Sequence, residues 1–124
     1  MVRLSAGLAV ILAAVVCVPL TAAHFSLVKS APTSGQTLDA SPKRLQLWFS
    51  EAPAAGVSQL KLLGADKKDL PLEKTIVDKD KSIYADVPKP LAPGAYILSW
   101  RAAGDDGHVQ SGEIKFTVAP KLKN

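Results

Sequence analysis

Alternation of side-chain character at every second residue is the feature that most limits what this chain can fold into. It is clearest in three segments, residues 44–49, 96–101 and 113–118. In residues 44–49, for example, Leu45, Leu47 and Phe49 alternate with the other three positions. Such a period of two, rich in aromatic and β-branched residues, is typical of half-buried β-strands. Outside the first 23 residues no long stretch repeats at helical spacing, so we expect an all-β fold.

Four weaker segments of the same kind complete the predicted set of strands: residues 25–30, 57–63, 70–77 and 83–87. Segments rich in proline and glycine separate the strands: residues 32–35, 53–56, 64–68 and 88–94. Six or seven short strands in about 100 residues, with a turn signal every ten or so, are typical of an antiparallel Greek-key β-sandwich. The sequence therefore predicts one all-β domain of this kind.

The first 23 residues differ from the rest and predict export. Arg3 precedes an apolar run over residues 4–20, which ends in Thr21-Ala22-Ala23. A basic start, an apolar stretch and small residues before a cleavage point are typical of a secretory signal peptide. We expect a signal peptide over residues 1–23, a mature domain over 24–124 that begins at His24, and a periplasmic location. The alternatives are an uncleaved membrane anchor and lipid attachment at Cys17, the latter disfavoured by the residue before it.

Composition narrows the chemistry of the mature chain. Its only Cys and only Met, Cys17 and Met1, both leave with the predicted signal peptide. The mature fold then has no disulfide and offers a metal neither thiolate nor thioether. The full chain has a net charge of +4, and its lysines are scattered without a basic run, so we expect no nucleic-acid partner.

The two histidines occupy informative positions. At a mature N-terminus, His24 would offer a metal its α-amine and its imidazole together. Asp106 and His108 are two residues apart, and such residues project from one face of an extended backbone. Three nitrogens and one oxygen suit tetragonal Cu(II) coordination, although Zn(II) accepts the same donors. The alternatives are that His24 is an accidental first residue and that His108 is a surface residue after an Asp-Gly turn.

Over nearly the whole mature chain, the sequence resembles the CopC family of periplasmic copper-binding proteins. The specific part of the resemblance is His24 together with the triplet Asp106-Gly107-His108. The remainder consists of scaffold positions: Leu27, Ser30, Pro32, Gly35, Leu38, Pro42, Leu47-Trp48-Phe49-Ser50-Glu51, Leu91-Ala92-Pro93-Gly94, Tyr96, Trp100-Arg101, Gly112 and Phe116-Thr117-Val118.

The resemblance implies a seven-stranded antiparallel Greek-key β-sandwich or barrel, immunoglobulin-like in architecture. It also implies that the protein holds one Cu(II) through His24, Asp106 and His108. Glu51 matches an acid that some members of the family place near copper, as an axial or nearby group. Some relatives carry a second, methionine-rich site for Cu(I), which this sequence cannot form once Met1 is lost. The family often works beside a membrane protein of the CopD type, a partner expected here by the same analogy.

Three functions are compatible with the sequence. The first is a periplasmic protein that buffers or carries Cu(II) in copper homeostasis or resistance and catalyses no reaction. The second is a copper oxygenase with an N-terminal histidine brace, against which Asp106 would fill a position that oxygen needs. The third is a metal-free immunoglobulin-like interaction module, which leaves both histidines unexplained.

Overall fold

A computed structural model describes residues 25–120, which form nine β-strands and no helix. The predicted signal peptide and His24 lie outside the described residues. The strands are β1 (Leu27–Ala31), β2 (Thr37–Leu38), β3 (Arg44–Phe49), β4 (Gln59–Gly64), β5 (Asp69–Leu70), β6 (Ile76–Val77), β7 (Ser82–Asp86), β8 (Gly94–Ala103) and β9 (Val109–Val118). Within residues 25–120, no helix is long and apolar enough to cross a membrane.

The strands form two sheets packed face to face. One sheet has the order β1-β3-β7-β6, and the other has the order β2-β9-β8-β4-β5. All neighbours are antiparallel except β2 and β9, which run parallel. The ten-residue strands β8 and β9 pair along their whole length and form the longest hairpin.

The all-β sandwich predicted from the sequence is confirmed, with two differences in detail. The segment predicted as one strand over residues 70–77 contributes two short strands to different sheets, because Asp69–Leu70 pairs with β4 and Ile76–Val77 pairs with β7. Thr37–Leu38 was not predicted, since a two-residue strand is too short to show alternation. These short strands raise the count from seven to nine.

The core lies between the sheets and follows the alternation. In β3, Leu45, Leu47 and Phe49 are buried while their neighbours are partly or fully exposed. The same pattern continues through the long hairpin, where Leu98 and Phe116 are almost fully buried. The core consists of residues with at most 8% exposure: Phe25, Leu45, Leu47, Phe49, Leu60, Leu62, Ile83, Ala85, Tyr96, Leu98, Trp100, Ala102, Ile114, Phe116 and Val118. Burying each large apolar side chain contributes about 1.5–3 kcal/mol.

The start of β1, the end of β3 and the β8–β9 loop meet at one end of the sandwich. Phe25 stacks on Phe49 with ring centroids 4.6 Å apart, and Phe49 meets Trp100 edge-on at 5.4 Å. Ser26 N–H donates to the hydroxyl of Ser50, and Ser50 N–H donates to the carbonyl of Ser26. These contacts fix the first described residues to the end of β3, at what we call the loop end.

Candidate metal centre

The β8–β9 loop, residues 104–108, carries two of the predicted ligands. Its turn is closed by a 3.1 Å hydrogen bond from Gly107 N–H to the carbonyl of Gly104. Gly107 has φ +75°, a left-handed conformation that glycine adopts at little cost. The Asp-Gly turn expected between two strands is therefore present, and it separates Asp106 from His108.

Asp106 and His108 lie against each other in this loop. Asp106 Oδ1 accepts the backbone N–H of His108 at 3.1 Å, and its Oδ2 lies 3.3 Å from His108 Nδ1. The side chain of His108 is 87% exposed and that of Asp106 is 48% exposed. Because Nδ1 faces the carboxylate, the opposite edge of the ring, with Nε2, is turned to solvent.

The loop brings this pair together by a route that differs from the expected one. The spacing of two residues predicts both side chains on one face of an extended backbone, but residues 104–108 form the turn region between β8 and β9. An aspartate side chain that accepts a backbone N–H two residues later is a common turn arrangement. The two side chains are therefore brought together by a local hydrogen bond within the turn, and not by alternation along a strand.

Glu51, the third candidate within the described chain, lies beside the base of the same loop. A Cβ built on Gly104 would fall 2.1 Å from Glu51 Oε1 and 3.1 Å from the Cβ of Phe25. The carboxylate of Glu51 and the side chain of Phe25 therefore both rest against the backbone of Gly104. Only glycine leaves room for both groups at this position.

Sequence reasoning did not single out Gly104 or Phe25 as important for the site. Phe25 is only 2% exposed although it precedes the first strand. The available signal was the glycine directly after β8, because a missing side chain lets other groups approach the backbone closely. The identity of the approaching groups depends on contacts between distant segments, which the sequence pattern does not specify.

The candidate donors in the described part of the chain are the imidazole of His108 and the carboxylates of Asp106 and Glu51. Groups of these types suit a hard or intermediate metal ion. Within residues 25–120, no three His, Cys, Asp or Glu side chains are arranged to hold a metal. The fourth predicted contributor, His24, lies outside this range.

A separate polar network lies on the outer face of β3 and β7. The indole N–H of Trp48 donates to Asp80 Oδ2 at 3.1 Å, and the hydroxyl of Ser82 donates to Oδ1 of the same carboxylate. These bonds, led by the one from Ser82, hold the pKa of Asp80 below its ordinary value against a smaller opposing effect of burial. Lys29 Nζ lies 4.5 Å from the Trp48 ring centroid.

A known protein family matches most of this sequence. The sequence matches the CopC domain over residues 27–119. The chain belongs to the CopC family. The CopC resemblance found in the sequence is thereby confirmed, and the matched residues include every strand described above.

Two curated relatives are copper proteins. Over 104 residues the chain is 32% identical to copper resistance protein C of Escherichia coli, covering 77% of this chain and 82% of that one. Over 98 residues it is 29% identical to the copper transport protein CutJ of Bacillus subtilis, covering 77% of this chain. This CopC chain spans only 18% of CutJ.

Two solved structures share the fold. The CopC of Methylosinus trichosporium OB3b superposes with a TM-score of 0.71 at 29% identity, covering 82% of this chain and 99% of that one. PcoC, a methionine-rich copper resistance protein from E. coli, gives 0.67 at 33% identity, covering 77% and 99%. This CopC chain differs from a methionine-rich protein in having Met1 as its only methionine.

Proposed function

We propose that this CopC protein is exported to the periplasm and binds one Cu(II) per mature chain in copper homeostasis or resistance. The ligands are the α-amine and imidazole of His24, the carboxylate of Asp106 and the imidazole of His108. The protein buffers or carries the ion and catalyses no reaction. Its relatives named for copper resistance and copper transport support the choice of metal.

The observation that carries this proposal is the position of Phe25. Its side chain is buried against Gly104, at the base of the loop that holds Asp106 and His108. Consecutive Cα atoms are about 3.8 Å apart, so residue 24 is attached directly to a residue fixed beside that loop. Covalent connection therefore supports the convergence of His24 with the aspartate–histidine pair.

The donor chemistry supports the oxidised ion. Amine, imidazole and carboxylate donors suit Cu(II), whereas Cu(I) prefers sulfur, which the mature chain lacks. Glu51 approaches the base of the loop. We propose it as an axial or nearby group, in addition to the ligands from His24, Asp106 and His108. Protons compete with the metal for amine and imidazole nitrogen, so copper affinity falls on acidification.

The proposed partner is a CopD-type membrane protein of copper transport. Its support is indirect and comes from CutJ, a copper transport protein of which the region similar to this chain is only a small part.

The test compares the chain beginning at His24 with a variant that carries one added glycine before it. The added residue converts the α-amine into a peptide nitrogen and leaves the imidazole in place. We expect Cu(II) affinity, measured by titration against a competing chelator, to fall at least about tenfold, or ~1.4 kcal/mol. His108→Ala and Asp106→Asn should weaken binding as well, while the exposed Asp39→Asn should have no effect.

Electron paramagnetic resonance of the copper-loaded protein should report nitrogen ligands that decrease in number in the extended variant. Equal affinity of the extended and authentic chains would remove His24 from the site. Binding no stronger than nonspecific association would favour the metal-free interaction module. Peroxide-driven cleavage of chitin or cellulose by the loaded protein would favour the oxygenase.

A further inference from the structure

Most sheet edges in this protein are short or already covered. The outer strands β2, β5 and β6 have two residues each. Residues next to these short strands cover more of the neighbouring edges. In β7, next to β6, the carbonyl of Ser82 accepts the N–H of Asp78 and the carbonyl of Asp86 accepts the N–H of Glu73. In β4, next to β5, the N–H of Leu60 donates to the hydroxyl of Thr75. Such features prevent edge-to-edge pairing with another chain.

The remaining long edge of the four-stranded sheet, β1, is protected in a different way. Its pairing with β3 is interrupted by a bulge between Leu27 and Lys29. Lys29 places a charge on the strand, and Pro32 follows its end. A bulge, a lysine and a proline are common devices against strand addition.

The first half of β9 is the exception. Lys115 C=O accepts from Gly35 N–H, and Thr117 N–H donates to Gln36 C=O, so the main-chain groups of these two residues face away from β8. Main-chain direction alternates along a strand, and the pairing with β8 has no register shift over its length. The N–H and C=O groups of Val109, Ser111 and Glu113 therefore face the same open side.

Within residues 25–120, no strand pairs with this open edge of β9, and Glu113 is the only charged residue along it. Within the described chain, β2 pairs only with Thr117 and Val118 of β9. Residues 109–113 contain no lysine, no proline and no bulge. Val109 is 48% exposed, and Ser111 and Glu113 are exposed as well.

We propose that this edge pairs with the same edge of a second copy of the chain, antiparallel about a two-fold axis at Ser111. In this register Val109 faces Glu113 of the second copy, and Ser111 faces Ser111. All three are residues whose main-chain groups point outward, so the pairing forms about six main-chain hydrogen bonds. The result is one continuous sheet through both copies.

The side chains of this edge fit self-pairing. Glu113 lies opposite Val109 of the second copy, and the two copies of Glu113 are separated by about 14 Å along the strands. On the inner face Gln110 lies opposite Gly112, which offers no side chain to clash with it. No like charges face each other, and the arrangement has the two-fold symmetry commonest among homo-oligomers. These observations favour a second copy as the occupant of the edge.

The dimer would hold the two β8–β9 loops at a fixed separation. His108 precedes the paired segment, and in the proposed register its Cα lies about 20 Å along the strands from that of the second copy. The two metal sites would therefore stay separate, each with its own ion. The inference is independent of which metal the loops bind.

Disulfide trapping tests the register. In a Cys17→Ser background, Ser111→Cys makes residue 111 the sole thiol, and Glu113→Cys is the matched control on the same exposed face. At the two-fold axis the paired Cα atoms are about 5.5 Å apart, within disulfide range, whereas two residues 113 are about 14 Å apart. In a glutathione redox buffer we expect S111C to form at least tenfold more covalent dimer than E113C. Equal crosslinking, or none, overturns the proposal.

Charge exchange at the same position gives a second, noncovalent test. Ser111→Glu and Ser111→Lys each place like charges across the axis, so each variant alone should sediment as a monomer. As its concentration is raised from about 10 µM to about 1 mM, the native protein should show an average mass that rises toward that of a dimer, because association depends on concentration. An equimolar mixture of S111E and S111K should recover the dimer. A monomeric native protein at the highest concentration, or a mixture that stays monomeric, overturns the proposal.

Discussion

At the residue scale, Gly104 connects the fold to the candidate metal centre. It directly follows the buried end of β8, and its missing side chain admits both the carboxylate of Glu51 and the Cβ of Phe25. Phe25 in turn fixes the chain immediately after His24. A single glycine therefore determines how closely three distant segments approach at the loop end.

We expect Gly104→Ala to destabilise the protein by about 1–3 kcal/mol, the usual cost of overpacking. The Glu51 carboxylate can rotate away from the new methyl group, but Phe25 is held by its stacking on Phe49 and cannot move as easily. Urea unfolding measures the change. Gly56→Ala is the matched control, because nothing lies within 4 Å of a Cβ built at Gly56. Indistinguishable midpoints for the two variants would contradict this explanation.

At the element scale, the turn between β6 and β7 is held by the charge of Asp80. Its carboxylate accepts from the hydroxyl of the buried Ser82 and from the indole of Trp48. Gln46 completes the network by donating to the Ser82 hydroxyl at 2.9 Å. The turn is therefore tied to both β3 and β7 by bonds that favour the ionised carboxylate.

This network predicts an acid-sensitive contribution to stability. The pKa of Asp80 is lowered in the folded state, chiefly by the bond from Ser82, while in the unfolded chain it returns to about 4. The contribution is therefore present above about pH 4 and is lost as the pH falls through the lowered folded-state pKa. We expect Asp80→Asn to show a shallower loss of unfolding free energy on acidification below pH ~4.

Denaturant unfolding at a series of pH values measures this effect. Ser82→Ala provides a matched comparison, since it removes the hydroxyl donor and keeps the carboxylate. It should also flatten the acid limb, although loss of its buried bonds lowers stability at every pH. Parallel curves for native protein and D80N would show that the Asp80 bonds do not favour the charged form.

The elements also show what the sequence could and could not predict. Alternation identified β3, β8 and β9, because long strands with one buried face impose a period of two. It could not divide residues 70–77 between two sheets, since that division depends on which neighbours the segment reaches. At the site, the Asp106–His108 pair was predicted from local spacing. The contact of Phe25 and Glu51 with Gly104 joins segments that are far apart in sequence, and no local pattern encodes it.

At the scale of the whole molecule, the candidate centre collects groups from both sheets at one end. Phe25 precedes β1 and Glu51 follows β3, and these two strands belong to the four-stranded sheet. Asp106 and His108 lie in the loop that connects β8 and β9 of the five-stranded sheet. A metal held by His24, Asp106 and His108 would join His24 to that loop. Binding would therefore couple the segment before β1 to the longest hairpin of the fold.

This coupling predicts that Cu(II) stabilises the folded protein. Free ligand at 100 times its dissociation constant contributes about 2.7 kcal/mol when the unfolded chain does not bind it. If the mature chain begins at His24 as proposed, the gain in stability will be smaller than this. The unfolded chain then keeps the amine and imidazole nitrogens of His24 and loses only their convergence with Asp106 and His108. For a domain of about 100 residues each kcal/mol raises Tm by about 4–8 °C, so thermal unfolding should show a clear rise that a chelator reverses. His108→Ala should lose most of this rise, since it leaves folded and unfolded states with similar nitrogen donors. An equal copper-induced rise in native and H108A protein would place the ion elsewhere.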